Sequence, residues 1–272
     1  MAMNWPTFFK RLLSAVFFTA FMLIGMLIKH PFAIIILTLI IHYLCVKEWH
    51  SLFNNILIQK DKKVVPKAFQ WLHHFLGLVL LYVLWFTALP AVIPLLVLVG
   101  LGLASFFVFK NNKGAQLFIG LLYISFPLSF LFILQQTYFF LPLIIILFIW
   151  TNDTMAYISG SFIGRTPFSK ISPNKTWEGI IGGVLFTIFL AFLIAHFSWF
   201  AYNGAKLELL VLAFLTSIVS ILGDLMESKL KRIAKVKDSG NILPGHGGAL
   251  DRFDSMLFAL PTIFFYYYYF IA

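Results

Sequence analysis

Charge is scarce in this chain: Asp, Glu, Lys and Arg make up 11% of its 272 residues, against about a quarter in an ordinary soluble protein. Acidic residues are the scarcest, ten in all, and there is a single cysteine, Cys45. The lone thiol excludes an internal disulfide and gives no sign of an oxidising compartment; within its apolar run it reads as a small core residue. No Cys/His cluster has the spacing of a zinc site. The short alternating segments of an outer-membrane barrel are missing, and no internal repeat points to the inverted halves of a transporter. Hydrocarbon fills the chain instead: 61% of residues are apolar and the mean hydropathy is +0.94. A soluble core of this length could not hide so much apolar surface, so lipid is the solvent and length is read in spans of about 20 residues.

Nine apolar runs follow one another, at 12–28, 31–46, 70–87, 90–109, 116–134, 138–159, 178–201, 207–226 and 255–271. The first, behind Lys10 and Arg11, is too long for a signal peptide and has no small-residue cleavage site, so it is read as a retained span. Backbone polar groups in lipid must be satisfied within the segment. The expectation is therefore an all-α polytopic membrane protein of about nine transmembrane helices. It forms one integral membrane domain over 1–272, with N-terminal spans in 1–137 and catalytic spans and loops in 138–272. With the N-terminus cytoplasmic, every Lys and Arg except Lys29 and Lys206 falls on the cytoplasmic face, which is the positive-inside pattern. The C-terminus then lies on the opposite side. The net charge of +10 is spread over all the cytoplasmic loops and not gathered in one stripe, which argues against a nucleic-acid partner. The terminal FFYYYYF, 264–270, suits the membrane–water boundary, where amphipathic rings settle.

The acidic residues are placed where lipid should exclude them. Asp153, Asp224, Asp251 and Asp254 all lie near the cytoplasmic ends of spans six, eight and nine, and an ionisable group at membrane depth costs several kcal/mol unless paired or hydrated. A single interfacial Asp is explained by capping a helix; four on one face beside glycine-rich loops favour a site. On a continuing helix Asp224, Ser228 and Lys231 share one face with Glu227 alongside, and Asp251, Asp254 and Ser255 share another. Carboxylates converging from two helices suit a hard cation such as Mg²⁺ together with phosphate oxygens. Gly245, Gly247 and Gly248 leave backbone N–H groups open before a helix start, a place for phosphate. Lys231, Arg232, Lys237 and Arg252 add positive charge, and His246 can donate a hydrogen bond. A second loop on the same face carries Gly160, Gly164, Arg165, Lys170, Ser172, Asn174, Lys175 and Thr176, with Asn174 or Thr176 as a helix cap and Glu178 favouring the helix N-terminus.

The stretch SKLKRIAKVKDSGNILPGHGGALDRFD, Ser228 to Asp254, resembles the signature of the phosphatidate cytidylyltransferases, also called CDP-diacylglycerol synthases. Ser228, Lys231, Arg232, Lys237, Asp238, Gly240, Leu243, Pro244, His246, Gly247, Gly248, Asp251, Arg252 and Asp254 fall in place, and Ala249 stands where the family prefers a larger apolar residue. GDLMES and SPNKTWEG are similar to family segments too. The resemblance is specific from about Asp153 to Ser255. It implies a dimeric membrane enzyme that makes CDP-diacylglycerol and pyrophosphate from CTP and phosphatidic acid with Mg²⁺, and with K⁺ as a second cation. It also implies that Asp224 and Asp251 are metal ligands. Asp153 and Asp254 follow as outer candidates. Lys175, Lys231, Arg232, Lys237, Asp238, His246 and Arg252 are expected in catalysis, and Ser172, Asn174, Thr176, Ser228, Gly245, Gly247 and Gly248 in substrate binding. The compact size suggests a bacterial inner membrane, with the site facing the cytoplasm.

Rival readings differ in what they require. An ion-coupled transporter with Asp153 and Asp224 as its relay would carry carboxylates deeper in the bilayer and would have no use for the His-Gly-Gly loop. A membrane scaffold would tolerate Asp251→Asn. A CDP-alcohol phosphotransferase would show a long aspartate-rich motif and a prenyltransferase a DDxxD, and neither is present.

Overall fold

The computed structural model describes residues 5–86, 112–202, 205–242 and 247–271. Among these the chain is helical and forms no strand; Pro167 and Thr176 make an isolated bridge. The helices are α1 (Trp5–Leu27), α2 (Pro31–Gln59), α3 (Lys67–Phe86), α4 (Asn112–Gly120), α5 (Phe126–Thr137), α6 (Leu141–Ile163), α7 (Trp177–His196), α8 (Lys206–Ile233) and α9 (Leu250–Phe270), with a π-helical turn at Leu121–Ser125 between α4 and α5. Among the described residues, six helical stretches are long and apolar enough to cross a membrane: Pro31–Gln59, Lys67–Phe86, Lys113–Thr137, Leu141–Ile163, Trp177–His196 and Lys206–Ile233.

That is fewer than the nine expected, for three separate reasons. The run at 90–109 lies outside the described residues. In α1 the apolar part described is Leu13–Leu27, shorter than a full span. The last run is a 21-residue helix, but Asp254, Pro261 and the four tyrosines 266–269 dilute its apolar character. The second span differs as well. Its apolar run ends at residue 46, yet α2 continues to Gln59, burying Glu48, Trp49 and His50 on the way.

Two compact units make up the chain: Met1–Thr137 with Leu230–Phe253, and Tyr138–Lys229 with Asp254–Ala272. In the first, α2 starts on Pro31 at its first turn, where a missing N–H does no harm. It packs against α1, α3 and α5. Ile34, Leu37, Ile41, Cys45, Trp49 and Leu52 fill the interior. Asn54 closes the α2–α3 connection by bonding both the N–H and the C=O of Val65, at 2.9 and 3.2 Å. The π-helical turn presents Ser125 to His42 at 3.0 Å, an extra residue in the helix being a usual way to re-aim a side chain. His42 belongs to a row of buried imidazoles that runs through His73 to His50, whose Nδ1 accepts from Gln116 at 3.0 Å. Leu52 and Ile56 of α2 also form a core with Ala234, flanked by Leu230 and Val236, so the end of α8 and the segment after it rest on the C-terminal half of α2.

In the second unit α6 and α7 pack closely because α7 is notched by glycine. A Cβ at Gly179 would lie 2.7 Å from the carbonyl of Ala156, and one at Gly183 2.7 Å from that of Asn152. Thr176 caps α7, its hydroxyl accepting the N–H of Gly179 at 3.1 Å, as one of the two expected caps. Asn152 of α6 donates to Ser220 of α8 at 3.3 Å, and Ser255 of α9 donates to the Ser220 carbonyl at 3.1 Å. Gly223 lets α8 approach α9: a Cβ there would stand 2.5 Å from the carbonyl oxygen of Asp254.

Candidate active site

In the second unit, α8 and α9 bring carboxylates together. Asp224 and Glu227 are three residues apart and share a face of α8, while Asp254 is the fifth residue of α9, just past its first turn. One oxygen from each lies within 4.8 Å of the other two. Glu227 is fully buried and Asp254 nearly so. Three carboxylate oxygens so close together are a fit for a hard divalent cation, which takes oxygen ligands and keeps some water. Lys175 reaches the cluster from the 164–176 loop and forms an ion pair with Asp224. Ser228, one turn further along α8, donates to Asp224 at 3.4 Å.

Backbone bonds fold the 164–176 loop that delivers Lys175. Trp177 N–H donates to the Thr166 carbonyl at 3.0 Å, Phe168 N–H to that of Lys175 at 2.8 Å, and Lys175 N–H to that of Ser172 at 3.1 Å. Glu178 adds a carboxylate that accepts the N–H groups of Arg165 and Thr166 at 3.1 and 3.2 Å. Of the candidates in this loop, Ser172 and Thr176 therefore shape it, Lys175 enters the carboxylate cluster and Asn174 is exposed. Asp153 is exposed on α6.

In the first unit the signature loop forms a second constellation. Asp251 accepts the Lys231 ammonium at 2.6 Å on Oδ1. On Oδ2 it accepts the N–H of Ser239 at 2.9 Å and that of Gly248 at 2.7 Å. Both partners of the Lys231–Asp251 pair are largely buried, so removing either would strand a charge in a poor dielectric. Gly247 has φ +81°, a left-handed conformation that favours glycine. Arg232, Lys237, Asp238 and Arg252 are exposed. Gly245 and His246 lie outside the described residues.

Two acidic residues outside the sequence-based assignments occupy prominent places. Glu227 completes the carboxylate trio. Its signal was available, since it lies on the face already singled out at Asp224. Glu48 of α2 is 4% exposed and grips the signature loop through Ser239, Ala249 and Leu250. No local motif marks it, because these partners lie 191, 201 and 202 residues away along the chain.

Residues 9–270 match the family model described as the Cytidylyltransferase family. The chain is 36% identical over 225 residues to the phosphatidate cytidylyltransferase of Rickettsia felis, covering 77% of this chain and 98% of that one. It is 45% identical over 130 residues to the phosphatidate cytidylyltransferase of Bacillus subtilis, covering 47% of this chain and 46% of the relative. The corresponding protein of Haemophilus influenzae is 42% identical over 130 residues, 47% of this chain and 45% of that one.

Proposed function

The chain belongs to the cytidylyltransferase family, and from that premise we propose that it transfers the cytidylyl group of CTP to phosphatidate, leaving CDP-diacylglycerol in the membrane and releasing pyrophosphate. The observation that carries the reading from family to site is the convergence of Asp224, Glu227 and Asp254 beside Lys175. An oxygen of the phosphatidate phosphate attacks the α-phosphorus of CTP; the new P–O bond forms as the bond to the bridging α–β oxygen breaks, and pyrophosphate leaves with that electron pair. The attacking oxygen is already anionic at neutral pH, so no Ser–His pair and no strong base is required. The barrier is the approach of two anions, which fixed positive charge and alignment lower.

Asp224, Glu227 and Asp254 would hold Mg²⁺, with Asp251 and Asp153 as further ligand candidates and K⁺ as a second cation; when bound, such ions neutralise phosphate charge and orient the displacement. Lys175, Lys231, Arg232, Lys237 and Arg252 supply fixed positive charge to the phosphates, with Asp238 and His246 assisting. Ser172, Asn174, Thr176, Ser228 and the glycines 245, 247 and 248 are assigned to substrate binding. In this reading nine spans cross a bacterial inner membrane with the N-terminus and the site on the cytoplasmic side, where CTP is dissolved and the lipid phosphate lies at the interface. The enzyme works as a homodimer.

The test is pyrophosphate release by the purified full chain in detergent. Release that requires both CTP and phosphatidate and stops on chelation is the expected result. Pyrophosphate or phosphate released from CTP without any need for phosphatidate would sink the assignment.

A further inference from the structure

Glu48 is the one carboxylate of α2 and is buried, and among the described residues the groups it accepts from belong to one loop and the helix start that follows it. Its Oε2 accepts the Ser239 hydroxyl and the Leu250 N–H, both at 2.9 Å, and its Oε1 accepts the Ala249 N–H at 2.9 Å. Gly240 and Gly248 press so closely on the carboxylate that a Cβ at either would collide with it. The two ends of the loop, 239–240 and 248–250, are thus gathered on a single side chain. The N–H groups of Ala249 and Leu250 open α9 and have no partner within that helix. Glu48 satisfies them from α2, doing the work of a cap and placing negative charge at the positive end of the helix dipole.

The same helix face carries the rest of the segment. Glu48, Leu52 and Ile56 are spaced i, i+4 and i+8 and so lie in one row along α2. Leu52 and Ile56 pack on Ala234 with Leu230 and Val236. Leu230, Ala234 and Val236, and then residues 239–240 and 248–250, therefore meet one row of α2 side chains, apolar at one end and anionic at the other.

Asp251 and Lys231 receive this support at second hand. The Ser239 hydroxyl lies 2.9 Å from Glu48 Oε2 and 3.0 Å from Asp251 Oδ2. It has one proton, so it serves one carboxylate at a time while Ser239 N–H and Gly248 N–H keep Asp251 in place. Those donors sit at the loop ends that Glu48 gathers. A shift of either end would move Asp251 Oδ2, and with it the Lys231 ammonium bound to Oδ1.

We propose that Glu48 is a positioning residue for cytidylyl transfer, holding residues 239–240 and 248–250 so that Asp251 and Lys231 keep the geometry the nucleotide phosphates require. The inference rests on the cytidylyltransferase reading above. Its test compares wild type, Glu48→Gln, Ser239→Ala and the double variant as purified full chains in detergent, reading kcat and KM for CTP and for phosphatidate separately, with hydrogen exchange of the 239–250 amides alongside. Glu48→Gln is close to isosteric but turns an NH₂ toward the N–H of Ala249 or Leu250. The expected result is a loss in kcat/KM for CTP of roughly 10- to 100-fold, as for other residues that orient ligating or charged groups, with KM for phosphatidate little changed. Faster exchange should be confined to the loop and the start of α9. Because both changes act along one path, the double variant should lose much less than the product of the single losses.

A folded Glu48→Gln with wild-type kcat/KM for CTP would overturn the proposal, as would independent, multiplicative effects of the two substitutions. If Glu48→Gln does not fold, Ser239→Ala alone decides, because it deletes only the bridging hydroxyl: wild-type kinetics in that variant would overturn the proposal. A wild-type chain that forms no lipid product would overturn the enzymatic reading itself and this inference with it, whereas an active wild type with an unaffected Glu48→Gln removes the inference alone.

Discussion

A carboxylate inside a helical membrane protein has to be held by donors or cations, and the two glutamates Glu48 and Glu227 answer that demand differently. Glu48 is satisfied by the loop it organises; Glu227 stands with Asp224 and Asp254 where their oxygens crowd within 4.8 Å. At this scale the account makes two predictions. Glu227→Gln keeps the volume and deletes one charge, so kcat should fall roughly 10²- to 10³-fold, the usual effect of losing a group that organises transition-state charge. The Mg²⁺ concentration for half-maximal rate should rise with it, as read from a Mg²⁺ titration of initial rates. Lys175→Met removes the ion pair to Asp224 while keeping a long side chain. It should lower kcat/KM for CTP at least as far as kcat/KM for phosphatidate, measured with each substrate varied in turn. Wild-type Mg²⁺ dependence in the first variant, or wild-type CTP kinetics in the second, would remove that residue from the site.

Elements matter here through how closely they approach. Gly223 brings α8 against the Asp254 carbonyl, and that oxygen is helix backbone and cannot rotate away. Gly223→Ala should therefore cost about 1–3 kcal/mol as an overpacked contact and separate Asp224 from Asp254. Activity should fall further than the thermal midpoint alone accounts for when both are measured in one detergent. Gly247→Ala meets a different obstacle. Its φ of +81° costs a side-chain-bearing residue about 1–2 kcal/mol, and the new Cβ would stand 2.7 Å from Asp251 Oδ2; a lowered midpoint together with lowered activity is the expected outcome.

Much at this scale was legible beforehand. The i, i+4 and i+7 face of Asp224, the helix start at Asp251 and the capping of α7 all follow from local spacing. The extension of α2 past Lys47 did not. Reading along the chain, Lys47 and Glu48 end an apolar run, whereas in the fold the Glu48 charge is absorbed by donors about 200 residues away. Local pattern reports what a residue prefers, and only the fold reports what it meets.

For the molecule as a whole, the distribution of positive charge leads to an orientation, and the described residues supply six helical stretches able to span a membrane. The inferred topology has a direct check. Cys45 is buried and is the sole cysteine, so a single exposed cysteine introduced by Lys170→Cys should react with an impermeant maleimide from the cytoplasmic side of sealed vesicles and be protected from the other side. Labelling from the opposite face would reverse the topology and place the Lys175 loop away from cytosolic CTP. The central claim concerns the reaction, and one measurement addresses it most directly: CTP labelled at the α- or at the γ-phosphorus, given to the purified full chain with phosphatidate and Mg²⁺, followed by extraction of the lipid. The account predicts lipid-bound label from α-labelled CTP, none from γ-labelled CTP, loss of the signal with EDTA, and a signal reduced roughly 100-fold or more in Asp224→Asn. Label entering lipid from the γ-position, or no label from either position with folded wild type, would contradict it.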